Sequence, residues 1–109
     1  DILLMPSLFE PCGLAQMIAM RYGTLPVVRE TGGLKDTVHA FNKYSGEGNG
    51  FSFQNINAHE FLYTTRYACD VFRHEPQAWQ RLVVTAMSGD YSWRASAQSY
   101  LAMYRQLKA

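Results

Sequence analysis

Three short apolar runs punctuate the first half of the chain, each bounded by residues that a helix tolerates poorly. Asp1-Ile-Leu-Leu-Met5 ends at Pro6-Ser7, and Leu25-Pro-Val-Val28 runs toward the Gly32-Gly33 pair. Gly50-Phe-Ser-Phe53 follows the loop Asn42–Gly50, which holds three glycines. Runs of this length between breakers read as buried strands. Between the first two, Glu10-Pro-Cys-Gly13 is turn chemistry, and Leu14, Met17, Ile18 and Arg21-Tyr22 then recur at helical spacing until Gly23 stops them. A short helical turn around Leu34–Val38 separates the second run from the third. Strand–helix–strand–helix–strand implies parallel strands joined by right-handed crossovers, so the expected fold class is α/β.

After Phe53 the period changes to 3.6. Asn57, with Glu60 three residues on, opens a helix as a capping box does, and Phe61, Thr65, Ala68 and Phe72 are expected on its buried face. Pro76 fits a first helical position, and Trp79, Leu82, Val83, Ala86 and Met87 form a full stripe up to Gly89. Ser92 is expected to cap a last helix that buries Trp93, Ala97, Tyr100, Leu101 and Tyr104. At 109 residues, one domain with one modest core is the limit. The 48% hydrophobic content excludes intrinsic disorder. A net charge of +1 argues against electrostatic capture of nucleic acid or of a membrane surface. No apolar run has the length of a membrane span, and no signal pattern opens the chain. Two cysteines, Cys12 and Cys69, form neither a disulfide framework nor a metal pair, which points to a reduced, cytoplasmic setting. The chain opens on Asp1 and runs straight into a strand, which reads as a piece cut from something longer.

In open α/β sheets, ligands bind outside the carboxyl ends of the strands. Two loops leave such ends here. In Pro6–Gly13, Gly13 admits close backbone approach, and the amides of Gly13, Leu14 and Ala15 would open a helix able to receive an anion, most naturally phosphate. Glu10 stands just ahead of them, placed to accept hydrogen bonds from hydroxyls. A carboxylate beside a phosphate site suggests a sugar phosphate; the competing reading is that Glu10 is an ordinary cap and the glycine only a turn residue. Thr31-Gly32-Gly33-Leu34 repeats the arrangement, and both loops are expected to face one crevice. His39, His59 and His74 lack the spacing of a helical metal pair, and no serine triad motif, P-loop or dinucleotide fingerprint occurs, so no metal or cofactor is expected. Cys12 precedes a helix start without a histidine near it in sequence, which makes it a poor thiol nucleophile.

The runs Pro6-Ser-Leu-Phe-Glu-Pro-Cys-Gly-Leu-Ala-Gln16, Ala19-Met-Arg-Tyr-Gly-Thr-Leu-Pro-Val-Val-Arg29 and Thr31-Gly-Gly-Leu-Lys-Asp-Thr-Val38 closely resemble bacterial glycogen synthases and plant starch synthases. The tail Asp90-Tyr-Ser-Trp-Arg-Ala-Ser-Ala97, with Tyr100 and Tyr104, looks like the same family's last helix. The resemblance implies the GT-B architecture, two Rossmann-like domains with the active site between them. Residues 1–109 would then be the C-terminal portion of the nucleotide-sugar-binding domain: a three-layer α/β/α arrangement holding the last three strands of its parallel sheet, with a helical tail. The acceptor domain would lie upstream. The implied reaction transfers glucose from ADP-glucose to the non-reducing end of an α-1,4-glucan with retention of configuration, in the cytoplasm, or in a plastid for a plant enzyme.

The resemblance further implies that Glu10 hydrogen-bonds the donor glucose and stabilises developing positive charge. The amides of Cys12, Gly13 and Leu14 would hold the sugar and distal phosphate, and Thr31, Gly32 and Gly33 would shape the crevice. Related glycosyltransferases carry a second glutamate where this chain has Ile18, and many members carry a hydroxyl where it has Ala15. The family's Arg and Lys that neutralise the diphosphate would precede Asp1, and such enzymes use side chains and helix dipoles there rather than a metal. Two other readings compete: a non-catalytic binding module of the same fold, and a UDP-glucose-dependent transferase. The apolar Asp1–Met5 edge, without lysine, proline or bulge, is expected to promote self-association.

Overall fold

The computed structural model describes residues 1–108 and contains three strands and five helices. In chain order these are β1 (Ile2–Met5), α1 (Ala15–Arg21), β2 (Leu25–Arg29), α2 (Gly32–Thr37), β3 (Phe51–Phe53), α3 (Ala58–His74), α4 (Pro76–Ser88) and α5 (Trp93–Lys108). The strands form one parallel sheet in the order β1-β2-β3. Ile2 pairs with Leu25, and Val27 with Phe51. The expected class and all three strand positions are therefore as the apolar runs indicate.

Alternation along β2 divides the interior into two layers. Leu25 and Val27 face a cluster with Met20 of α1, Phe51 of β3, Ala68 and Val71 of α3, and Trp79 and Leu82 of α4. Val28 faces the other way, onto Leu34 and Val38. Helices thus cover both sides of the central strand, the layering expected of an α/β sheet. The carboxyl ends of β1 and β2 are left free, and both glycine-containing loops start there.

The helix starts follow local chemistry. The Glu60 N–H donates to Asn57 Oδ1 at 2.8 Å, and Asn57 Nδ2 donates to Glu60 Oε2 at 3.0 Å. The Asn55 N–H, at 3.1 Å from Glu60 Oε1, then the Asn55 side chain and, to a smaller extent, the Asn57 side chain hold the Glu60 carboxyl below the usual carboxylate range. Ser92 Oγ accepts from the Ala95 N–H at 3.2 Å, as its cap role requires.

Two buried faces differ from expectation. On α3 the sheet takes Thr64, Ala68 and Val71, with Phe61 and Tyr67 packed beside them. Phe72 is instead partly exposed, its ring edge-on to Trp79 at 5.1 Å. The helix is rotated by about one residue, which lets Tyr67 meet Phe41 and Phe51. On α5 no residue is buried, and Trp93 is 91% exposed. Its aromatic stripe is present, but α3 and α4 already close the core against β3, so no described element lies opposite it. Among the described residues, no helix is long and apolar enough to cross a membrane.

Candidate functional site

The loop leaving β1 carries Glu10 half-buried, between exposed Phe9 and exposed Cys12. Among the described residues, the Glu10 carboxylate accepts one hydrogen bond, from Ser7 Oγ at 3.2 Å to Oε2. The loop is anchored to β2 by Arg29, whose Nη1 donates to Leu8 O at 2.6 Å. Gly13 has φ +71°, a left-handed conformation that turns the chain into α1 and favours glycine. Among the described residues, the N–H groups of Cys12, Gly13 and Leu14 donate to no protein acceptor. They follow Glu10 by two to four residues on the same loop.

The second loop meets the first directly. The Gly33 N–H donates to Glu10 O at 3.0 Å. A Cβ on Gly32 would be driven into the Glu10 carbonyl oxygen, and one on Gly33 into the Cys12 carbonyl oxygen. Gly32 also has φ +48°. The pair of glycines is thus explained by a seam in which two backbones touch, and the Gly33 amide is engaged within the protein. Thr31 is the half-buried N-cap of α2, and its hydroxyl makes no capping hydrogen bond.

Leu14 and Ile18 are 67% and 58% exposed, and the side of α1 turned inward presents Gln16 and Met20. Gln16 is completely buried, and sequence reasoning assigned it no role. Its Nε2 lies 2.9 Å from Gly13 O, 3.3 Å from Cys12 O and 3.2 Å from Thr37 Oγ1, while its Oε1 has no partner. Thr37 Oγ1 donates in turn to Gly33 O at 2.7 Å. The signal that could have found it is a lone amide on a helix one turn after a glycine-containing turn. α1 is only seven residues long, so the loop offers unengaged N–H groups rather than a developed helix macrodipole. A groove of about 720 Å³ between α1 and the joint of α4 with α5 is lined by Leu14, Met17, Ile18, Ala86 and Tyr91, so of the candidate site residues it takes in Leu14 but not Glu10, Cys12 or Gly13. The Glu10 loop itself is an open ledge. His39, His59 and His74 are exposed, and among the described residues no group of three or more His, Cys, Asp or Glu could hold a metal.

No protein-family model matches the chain. The resemblance read from the motifs nevertheless extends over nearly all of it. The chain is 62% identical to a glycogen synthase of Geobacillus thermodenitrificans over 107 residues, 98% of this chain and 22% of that relative. It is 58% identical to a glycogen synthase of Desulfitobacterium hafniense over 107 residues, 98% of this chain and 23% of that relative. Among solved structures it is similar to the catalytic domain of starch synthase IV from Arabidopsis thaliana bound to ADP and acarbose. That likeness has a TM-score of 0.85 and 42% identity, covering 97% of this chain and 22% of that one. A sucrose-phosphate synthase from Thermosynechococcus elongatus, 24% identical with a TM-score of 0.66 over 97% of this chain and 25% of that one, shares the fold. The chain thus spans about a fifth of the length of the curated relatives it matches, 22% of the first of them.

Proposed function

We propose that this chain is the C-terminal, donor-side part of a glycogen synthase-type glucosyltransferase, one that transfers glucose from ADP-glucose to an α-1,4-glucan with retention of configuration. The observation that carries the reading is the Glu10 ledge: a carboxylate with a single protein partner, next to three unengaged backbone N–H groups. Such amides suit a phosphate oxygen, and the carboxylate suits a sugar whose anomeric carbon becomes positive as the phosphate leaves. The glycogen synthase relatives support this reading, as does the likeness to the starch synthase IV catalytic domain bound to ADP and acarbose.

In this reading Glu10 hydrogen-bonds the donor glucose and stabilises its positive transition state. Cys12, Gly13 and Leu14 hold the sugar and distal phosphate through their N–H groups. Thr31 offers a hydroxyl, and Gly32 and Gly33 shape the ledge from below. Ile18 excludes a second carboxylate from the position where related enzymes carry one, so Glu10 acts alone. An open ledge needs a facing wall and cationic side chains for the diphosphate: the acceptor domain supplies the wall, and Arg and Lys side chains upstream of Asp1 supply the charge.

Calorimetric titration of ADP-glucose and UDP-glucose into the full-length protein, with glucan synthesis followed in parallel, tests the assignment. ADP-glucose is expected to bind more tightly and to be consumed, whereas the 109-residue chain alone turns over neither, because positioning and charge neutralisation are both incomplete. A full-length protein that binds ADP-glucose without extending glucan would overturn the catalytic reading.

The isolated chain is also expected to associate with itself. Among the described residues β1 pairs only with β2, so its other edge offers N–H and C=O groups without strand partners. Two copies joined along that edge satisfy the symmetry of a closed dimer. Sedimentation should show mass rising with concentration; a monomer mass throughout would rule the pairing out.

A further inference from the structure

Resting on the donor-site reading, we infer that Gln16 is a positioning residue that aims the Gly13 and Leu14 N–H groups at the donor phosphate. A trans peptide unit is planar, with its C=O and the following N–H pointing in opposite directions. The Cys12 carbonyl belongs to the unit that carries the Gly13 N–H, and the Gly13 carbonyl to the unit that carries the Leu14 N–H. Gln16 Nε2 draws both carbonyls inward, at 3.3 Å and 2.9 Å. Holding those oxygens in turns the two N–H groups out, and neither has a protein acceptor among the described residues.

The same amide reaches the second loop. Gln16 Nε2 is 3.2 Å from Thr37 Oγ1, which donates to Gly33 O, and the Gly33 N–H donates to Glu10 O. One connected set of hydrogen bonds therefore runs from the Cys12–Gly13 turn through α2 to the backbone of the catalytic glutamate. An amide has two hydrogens for the three acceptors around Nε2, so the set is shared rather than saturated. The cost of the arrangement is visible at the other end of the side chain, where buried Oε1 has no partner. Burying an unpaired acceptor is unfavourable, and methionine, of similar length and without that oxygen, would avoid it. The residue placed here gives up that gain and keeps the donor. Gly13 fits the same scheme, since a Cβ there would lie 2.6 Å from Gln16 Oε1 and 2.9 Å from Nε2, pushing the amide out of place.

The test uses the full-length protein, ADP-glucose as the titrant, and the variants Gln16→Met, Thr37→Val and their combination. Gln16→Met is expected to weaken ADP-glucose binding at least about 10-fold and to reduce the amide-exchange protection that bound ADP-glucose confers on Gly13 and Leu14. Thr37→Val should weaken binding about 3-fold, and the double variant no more than Gln16→Met alone, because both act through one set of bonds. Binding by Gln16→Met equal to that of the unmutated protein would overturn the inference. So would losses of affinity that add across the two sites and track the melting temperature, the behaviour of packing alone. Where Gln16→Met does not fold, Thr37→Val decides: weaker binding at an unchanged melting temperature supports the role, and unchanged binding overturns it. If the unmutated protein binds no ADP-glucose, the donor reading itself fails, and this role with it.

Discussion

Glu10→Gln is expected to lower glucan synthesis by the full-length protein on the order of 10²–10³-fold, the scale of removing one electrostatic group aimed at a transition-state charge. ADP affinity should change by no more than a few-fold. The substitution leaves the shape of the side chain and an oxygen that can still accept from Ser7 Oγ. It does not touch the Glu10 carbonyl, which receives the Gly33 N–H, so the seam between the loops survives. What disappears is negative charge, and charge matters most when the anomeric centre is positive, a condition met only on the way to the transition state. Steady-state kinetics and ADP titration of the same preparation separate the cases. A fall in ADP affinity matching the fall in turnover would make Glu10 a ground-state binding residue.

Gly33→Ala is expected to destabilise the chain by about 3 kcal/mol, at the upper end of what one excess carbon costs in a packed interior. The added Cβ meets backbone atoms of Cys12, including its carbonyl oxygen, and backbone cannot swing aside as the end of a side chain does. The Glu10–Gly13 segment must lift or α2 must retreat, and either movement breaks the bond from the Gly33 N–H to Glu10 O. For a domain of this size such a loss lowers the melting temperature on the order of 10 °C or more. Thermal unfolding followed by circular dichroism measures it. A melting temperature within 2 °C or so of the unmutated chain (well under 1 kcal/mol) would mean that the seam is looser than its contacts imply. Lys35→Ala, on the exposed side of the same helix, serves as the control.

The features legible in the sequence are those fixed by neighbours a few residues away. The capping of α3 by Asn57 and Glu60, the Ser92 cap and the three strands between breakers all belong to that class. That the two loops lie at one edge of the sheet was also inferable, because parallel strands deliver their carboxyl ends there. What makes the loops touch was not. Gly32 and Gly33 read as turn residues until the backbone of Glu10–Cys12 is seen pressed against them, a contact between segments some twenty residues apart. The inward face of α1 was illegible for a different reason: a seven-residue helix with apolar groups on several sides has no dominant period, so Gln16 could not be told from a solvated amide. The stripe on α5 shows the opposite limit. Periodicity reveals that a helix has a face to cover, and it carries no information about which element covers it.

The register of the sheet bears on how the chain reaches its folded state. Ile2 against Leu25 and Val27 against Phe51 each require the closure of a loop of about two dozen residues. Closure entropy varies only with the logarithm of loop length, so neither strand pair has an entropic head start over the other. Precedence falls instead to local structure, and α3 and α4 adjoin each other in sequence and bury Ala68, Val71, Trp79 and Leu82 in the layer that receives β2. A helical hairpin forming early would present a surface on which β3 and then β2 condense. The Glu10 ledge, which depends on β1 and on a backbone seam with no apolar area of its own, would be completed last.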